Sequence, residues 1–259
     1  MSFETIQYEV GEGIATITIN RPDVLNALNM QVLRELLAAA RDAREDDAVK
    51  VVLLTGAGRS FVAGADIAQM KEFGTREGVE FGDLGHAVLR ELETLDKPVI
   101  AVVNGFALGG GTEISLGCDF IYASSKAKFG QPEVNLGIIP GFGGTQRLAR
   151  TVGMNKAREL VYTGQIIDAK EAHRIGLVAE VFEPDALMDA AREKAKLLMG
   201  KGPLAVAAAK RVMNKGCDLA LDSALELEKQ AFAALFGTAD QAEGMEAFVE
   251  KRDARFQGR

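Results

Sequence analysis

Three apolar runs, Lys50 to Thr55, Pro98 to Val103 and Phe120 to Ala123, set the strongest limit on what this chain can fold into. None alternates apolar with polar residues, so neither face of these strands can be left in water. Strands of this kind fit a largely parallel sheet covered on both sides by helices. The segments between them supply the cover. Met30 to Asp46 carries Leu33, Leu36, Leu37 and Ala40 at helical spacing with charges opposite. A second helix is predicted around His86 to Leu95, and a short one after Gly109. Ile6 to Val10 and Ile14 to Asn20, separated by Gly11-Glu12-Gly13, read as a hairpin. The chain is thus α/β, with a repeating β-β-α order.

After Gly143 the pattern turns helical: Thr145 to Thr151, Ala157 to Tyr162, Ala169 to Ile175 with Gly176 as C-cap, and Ala186 to Met199 closed by Gly200. Leu177 to Phe182 is the last predicted strand. A helix from Pro203 to Asn214 has proline in its first turn, a long helix runs through Leu225, Phe232, Leu235 and Phe236, and Thr238-Ala239-Asp240-Gln241 reads as the capping box of a final helix. We therefore expect a core over residues 1–198 and a helical region over 199–259. The aromatic residues of that tail offer more apolar surface than it can bury alone. They are expected to pack on another subunit or, in the plainer alternative, on the chain's own core.

The formal net charge of −7 argues against nucleic acid or an anionic membrane as the main partner, since phosphate binding draws on clustered Lys and Arg. No run approaches the roughly 18 apolar residues of a membrane span, and the first residues lack a positive flank and apolar stretch, so a soluble, cytoplasmic protein is expected. Two cysteines, Cys118 and Cys217, and two histidines, His86 and His173, give a metal site, a catalytic thiol or a Ser-His-Asp triad little to build on.

Chemistry is concentrated at glycine-rich turns. Gly109-Gly110-Gly111 follows a strand and precedes a helix-forming stretch, so unpaired N–H groups can point into the turn. A turn that merely needs positive φ is the plainer reading. Ser60 to Asp66 forms a second such turn, where the Ala65 N–H can act as another donor. Two donors aimed at one oxygen would form an oxyanion hole. Glu113 lies three residues, about one helical turn, past Gly110. Glu133 follows Pro132 on a stiffened turn. Either glutamate alone is more often a cap or an ion-pair partner; together beside a donor pair they suit acid–base work.

Taken in order, Asn20-Arg21-Pro22 with Asn26-Ala27-Leu28, Ala63-Gly64-Ala65-Asp66-Ile67, Asn104 through Gly111 and Glu113, Phe129-Gly130-Gln131-Pro132-Glu133, Gly137 to Pro140, Gly143 to Leu148 and Ala247 to Arg252 resemble the enoyl-CoA hydratase (crotonase) family. The resemblance covers nearly the whole chain. It implies a crotonase-like (ClpP-like) spiral of β-β-α units followed by a C-terminal helical trimerisation region, assembled as a homotrimer or a hexamer. It also implies an acyl-CoA thioester substrate, with no cofactor beyond the coenzyme A carried by that substrate and no metal. The thioester oxygen would be held by the N–H groups of Ala65 and Gly110. Glu113 would take the proton of water and Glu133 would deliver one to the α-carbon. Val24, Ala63, Asp66 and Ile67 match positions lining the coenzyme A path, while Phe248 and Lys251 match a helix that reaches a neighbouring subunit's coenzyme A. Ala68 stands where many members carry a lysine, so that phosphate contact is expected to be either missing or supplied by Arg59 or Lys71. The charged, glycine-rich Met70 to Gly85 and Phe142 are expected to wall the acyl pocket, the former as a mobile element.

Three rival readings stay open. An enoyl-CoA isomerase of the same fold usually needs only the acid at Glu133, so the presence of Glu113 favours hydration. A nicotinamide-dependent oxidoreductase is suggested by Gly56-Ala57-Gly58 after a strand, although Phe61 occupies the place of the third glycine. A non-catalytic scaffold is the third.

Overall fold

The computed structural model describes residues 3–259. In chain order its elements are β1 (Ile6–Gly11), β2 (Ile14–Ile19), a 3-10 turn at Pro22–Val24, α1 (Met30–Glu45), β3 (Val51–Gly56), β4 (Ser60–Val62), α2 (Ile67–Met70), α3 (Thr75–Thr94), β5 (Val99–Val103), β6 (Phe106–Leu108) and α4 (Gly110–Leu116). There follow β7 (Phe120–Ser124), β8 (Lys128–Gly130), a 3-10 turn at Pro132–Leu136, α5 (Gly144–Val152), α6 (Met154–Thr163), β9 (Ile166–Asp168), α7 (Ala169–Arg174), β10 (Glu180–Phe182), α8 (Leu187–Met199), α9 (Pro203–Gly216), α10 (Leu221–Leu235) and α11 (Ala239–Glu250).

The strands form two sheets. The larger has the order β1-β2-β3-β5-β7-β10 and the smaller β4-β6-β8-β9. In the larger sheet only the β1–β2 hairpin is antiparallel. Each of β3-β4, β5-β6 and β7-β8 leaves the large sheet and enters the small one; a helix carries the chain back after the first two, whereas after β8 the helices α5 and α6 lead to β9 of the small sheet and α7 then returns the chain to β10, so three β-β-α turns stack as a spiral. Glycine makes the corners possible. A Cβ at Gly56 would lie 2.3 Å from the Phe61 carbonyl oxygen, and one at Gly105 would lie 2.1 Å from that of Arg59. Asn104 ties successive corners together by donating Nδ2 to the carbonyls of Gly56 and Gly58, each at 2.9 Å.

The apolar runs behave as their composition requires. Val52 and Leu54 enter the main core beneath α1 and α3, whereas Val51 and Leu53, pointing the other way, pack with Ile100, Val102 and Tyr122 against Leu187, Ala191 and Ala195 of α8. Burying both faces of the sheet excludes water from its backbone ladder.

Two expectations are refined. The wall over Met70 to Gly85 is mostly helix: α3 begins at Thr75, well before His86, with Glu77 Oε2 accepting from the Gly74 N–H at 2.9 Å. The capping box at Thr238 is half formed. Thr238 Oγ1 accepts from the Gln241 N–H at 3.1 Å, but the Gln241 side chain turns to Met245 instead of returning to the cap. The tail helices stand largely clear of the core. Among the described residues α10 has no buried side chain and packs chiefly on α9. No helix of the described residues is long and apolar enough to cross a membrane.

Candidate active site

A cavity of about 440 Å³ lies between α3, the Ala63–Ala65 turn, the start of α4 and the Pro132–Leu136 turn. Glu113, Glu133, Ala65 and Gly110 all line it, so the spiral brings together four residues spread over 68 positions of sequence. Its remaining wall is mostly apolar, with Met70, Phe73, Phe81, Leu136, Ile138 and Phe142. Phe81 stands at the centre of an edge-on aromatic group, with ring centroids 5.6 Å from Phe73 and 5.0 Å from Phe142. Helix α3 admits Phe142 only because residue 85 is glycine, since a Cβ there would lie 2.1 Å from the ring.

The donor side is built by backbone geometry. Leu28 and Ala65 form a parallel bridge in which the Leu28 N–H donates to Gly64 O at 2.9 Å and the Asp66 N–H to Leu28 O at 2.7 Å. That pattern turns the intervening Ala65 N–H away from Leu28 and toward the cavity. Gly110 opens α4, whose first-turn N–H groups have no intrahelical acceptor. Neither the Ala65 nor the Gly110 N–H has a partner among the described residues. The Asn20 to Leu28 segment supports this turn. Asn26, fully buried, accepts from the Arg21 N–H and donates to the carbonyls of Ala57 and Ser60, and Arg21 pairs with Asp66 at 3.0 Å.

The two acids sit in different surroundings. Glu113 is 2% exposed, and its Oε1 accepts from the N–H groups of Phe142 at 2.8 Å and Gly144 at 2.6 Å. Burial raises its pKa, opposed by those two donors and by the charge of Arg147. Glu133 is pushed up to about 7, chiefly by burial, with the Glu113 charge adding to the effect. It lies close to the glycine turn: Gly109 has φ of +51°, and a Cβ there would come within 2.7 Å of Glu133 Oε1. Gln131 serves either state of this acid: its amide nitrogen turned toward Glu133 lies 2.9 and 3.1 Å from the two oxygens of the carboxylate, and in the opposite orientation its amide oxygen can accept the O–H of the protonated form. One carboxyl is thus held by fixed main-chain dipoles, the other by a side-chain amide in a site that favours its proton.

The other predicted contacts divide. Ala63 and Ile67 line the cavity, but Val24 and Asp66 do not: Val24 is exposed on the first 3-10 turn and Asp66 is committed to Arg21 and to the start of α2. Phe248 is 84% exposed on α11 and Lys251 follows that helix in a left-handed conformation; neither approaches this chain's own cavity. Arg59 is exposed, and Lys71 faces Glu72 at 3.5 Å. Gly56-Ala57-Gly58 turns from β3 into β4, so no helix N-terminus awaits a dinucleotide there. Sequence reasoning assigned no role to Gln131, Gly144 or Arg147. Their motifs were visible, but holding a carboxylate with main-chain N–H groups leaves no side-chain signature.

Fold and site together define a β-β-α spiral in which two carboxyl groups share an apolar cavity with a pair of unpartnered N–H groups. A family model described as enoyl-CoA hydratase/isomerase matches residues 9–259. The chain belongs to that family. A short-chain-enoyl-CoA hydratase of Clostridium acetobutylicum is 53% identical over 253 residues, covering 97% of each chain. A crotonyl-CoA hydratase of Syntrophomonas wolfei is 50% identical over 257 residues, covering 99% of each. Among solved structures, an enoyl-CoA hydratase from Bacillus anthracis superimposes with a TM-score of 0.95 at 39% identity, covering 99% of this chain and 100% of that one.

Proposed function

We propose that this chain catalyses the reversible addition of water to short-chain trans-2-enoyl-CoA thioesters, with crotonyl-CoA as the representative substrate. One observation carries the reading: two carboxyl groups, Glu113 buried and Glu133 half-buried, face a single cavity that also receives two free N–H groups. As water adds to the β-carbon, negative charge develops on the thioester oxygen, where the Ala65 and Gly110 N–H groups would meet it; each such donor is worth about 3 kcal/mol in the transition state. Glu113, whose N–H partners and the Arg147 charge offset part of the upward push of burial, takes the proton of water as a carboxylate. Glu133, whose pKa of about 7 keeps much of it protonated near neutrality, delivers a proton to the α-carbon. In reverse the same groups dehydrate a 3-hydroxyacyl thioester.

The bound thioester would run past Ala63 and Ile67 toward Val24 and Asp66 at the surface. Phe248 and Lys251 would serve a neighbouring subunit's coenzyme A. A homotrimer or a hexamer would cover Phe232 and Phe248, which are 62% and 84% exposed in the single chain. We read the protein as cytoplasmic and its reaction as needing no cofactor beyond the substrate's coenzyme A.

An isomerase shuttles one proton and has no need of a second acid, so Glu113 discriminates between the two readings. The test follows loss of the conjugated thioester's ultraviolet absorbance over a series of chain lengths. Glu113→Gln should lower the hydration rate by about 10²–10⁴-fold. A Glu113→Gln protein that hydrates as fast as wild type would sink the two-acid mechanism.

A further inference from the structure

The Glu113 carboxylate is held by the N–H groups of a loop, and that loop needs holding in turn. Phe142 and Gly144 both donate to Oε1, across a Gly143 whose φ of +102° only glycine adopts at low cost. Arg147, one turn into α5, folds back over this loop. Its Nη1 donates to the Phe142 carbonyl at 2.9 Å, and its own N–H donates to the Gly143 carbonyl at 2.8 Å. A Cβ at residue 143 would lie 2.1 Å from Nη1, so the guanidinium rests against the turn itself. The other edge of the fork is engaged by Glu93 of α3, with Nε to Oε1 at 2.5 Å and Nη2 to Oε2 at 3.0 Å. Both side chains are about one-fifth exposed, and a two-point contact of this kind fixes the plane of the guanidinium. Glu93 is anchored behind that: Asn214 of α9 donates to its carbonyl at 3.0 Å, and Lys210 to the carbonyl of Leu92 at 2.9 Å.

We propose that Arg147, oriented by Glu93, is a positioning residue that fixes the Phe142–Gly144 loop and through it the orientation and charge of Glu113. The inference rests on the hydratase reading only for the consequence of that charge, not for its existence. Of the ionisable groups around this loop, Glu133 from the Pro132–Leu136 turn and Arg147 from α5 interact with the Glu113 charge, while Glu93 of α3 pairs with Arg147 and His86 of α3 borders Gly143. Arg147 is the cation that acts on the carboxylate and Glu93 holds its guanidinium in place, so removing either should raise the Glu113 midpoint, Arg147 the more. A pair serving only to tie α3 to α5 would lower stability in both variants without moving that midpoint.

Two readouts on the full-length protein keep the inference separable from the proposed reaction. The first is the ionisation midpoint of Glu113, read by infrared titration as the carboxyl band that disappears in Glu113→Gln; it needs no turnover. The second is the pH profile of kcat for crotonyl-CoA hydration. In Arg147→Gln the midpoint should rise by about one pH unit, with the acidic limb of the rate following it, and kcat at neutral pH should fall at least about tenfold. In Glu93→Gln, which can accept only one of the fork's two bonds, the midpoint should rise by less than in Arg147→Gln. Arg147→Lys should keep the wild-type midpoint while recovering only part of the rate, because charge survives and the fork does not. A wild-type midpoint in Arg147→Gln, with only the melting temperature lowered, overturns the proposal. If Arg147→Gln does not fold, Glu93→Gln decides alone: an unchanged or lowered midpoint overturns it. Should wild type prove inactive on enoyl thioesters, the proposed reaction fails while the midpoint shifts still decide this inference.

Discussion

Replacing Glu133 by glutamine should make the protein more stable at alkaline pH while abolishing most of its activity. Burial lifts this carboxyl from an ordinary 4.5 to about 7. Between those values the folded protein holds a proton that the unfolded chain has released, so wild-type stability falls as pH rises through the window from 4.5 to about 7. The gap of about 2.5 units, at about 1.36 kcal/mol each, sets an upper limit of about 3.4 kcal/mol. Part of the carboxyl faces the solvent-filled cavity, which brings the expected figure to about 1.5–2 kcal/mol. Glutamine resembles the protonated acid and has no proton to lose, so Glu133→Gln escapes this cost. Urea unfolding at pH 5 and pH 8 measures it, at one protein concentration because assembly contributes to apparent stability. The stability difference should be small near pH 4.5 and grow to the stated value by pH 8, while kcat falls by about 10²–10⁴-fold. A Glu133→Gln protein no more stable than wild type at pH 8, or a gap that does not change with pH, would refute the reasoning.

Gly110→Ala places a Cβ 2.9 Å from Leu28 Cδ1 and 3.2 Å from the Phe142 ring, so either these side chains or the start of α4 must give; steady-state kinetics should show a lower kcat, by up to about 10²–10³-fold where the N–H itself is displaced. Phe81→Ala removes the middle ring of the aromatic wall at a cost of about 3–5 kcal/mol, and competition between crotonyl and longer enoyl thioesters should show the kcat/KM ratio moving toward the longer chain. An unchanged ratio would remove Phe81 from the acyl wall. Asn26→Ala leaves the Arg21 N–H and the Ala57 and Ser60 carbonyls without their buried partner, at about 1–3 kcal/mol for each group that water cannot reach, seen as a lowered denaturation midpoint.

The large sheet was legible because its central strands are buried on both faces. Val51 to Leu54 must be apolar throughout when α8 covers one side and α1 and α3 the other. The small sheet was not. Strands β4, β6, β8 and β9 are three residues each, too short for any periodicity, and Ser60–Val62 and Lys128–Gly130 look like turn sequence. Helix α3 was read late because Gly78, Gly82 and Gly85 suggest a loop; Gly85 is present because Phe142 fills the space a side chain would take. At the site, Glu113, Glu133 and the Gly110 turn announced themselves as carboxylates and glycines at borders of apolar segments. What holds Glu113 did not, because the Phe142 and Gly144 donors are peptide groups about 30 residues away and no residue type encodes a peptide N–H.

The two oxygens of Glu113 are not equivalent. Oε1 already accepts two main-chain N–H groups, as many as its lone pairs allow, so Oε2 is the oxygen with lone pairs to spare, the Gly141 N–H being the one further main-chain donor beside the carboxyl among the described residues. On the proposed reaction a proton leaving water would go to Oε2, and the water would approach from the side on which that oxygen stands. A planar enoyl group with its carbonyl on the Ala65 and Gly110 donors would then receive its hydroxyl on one face only. Chirality at the β-carbon would in this way be dictated by two peptide bonds, and chiral chromatography of the hydrated product should return a single enantiomer.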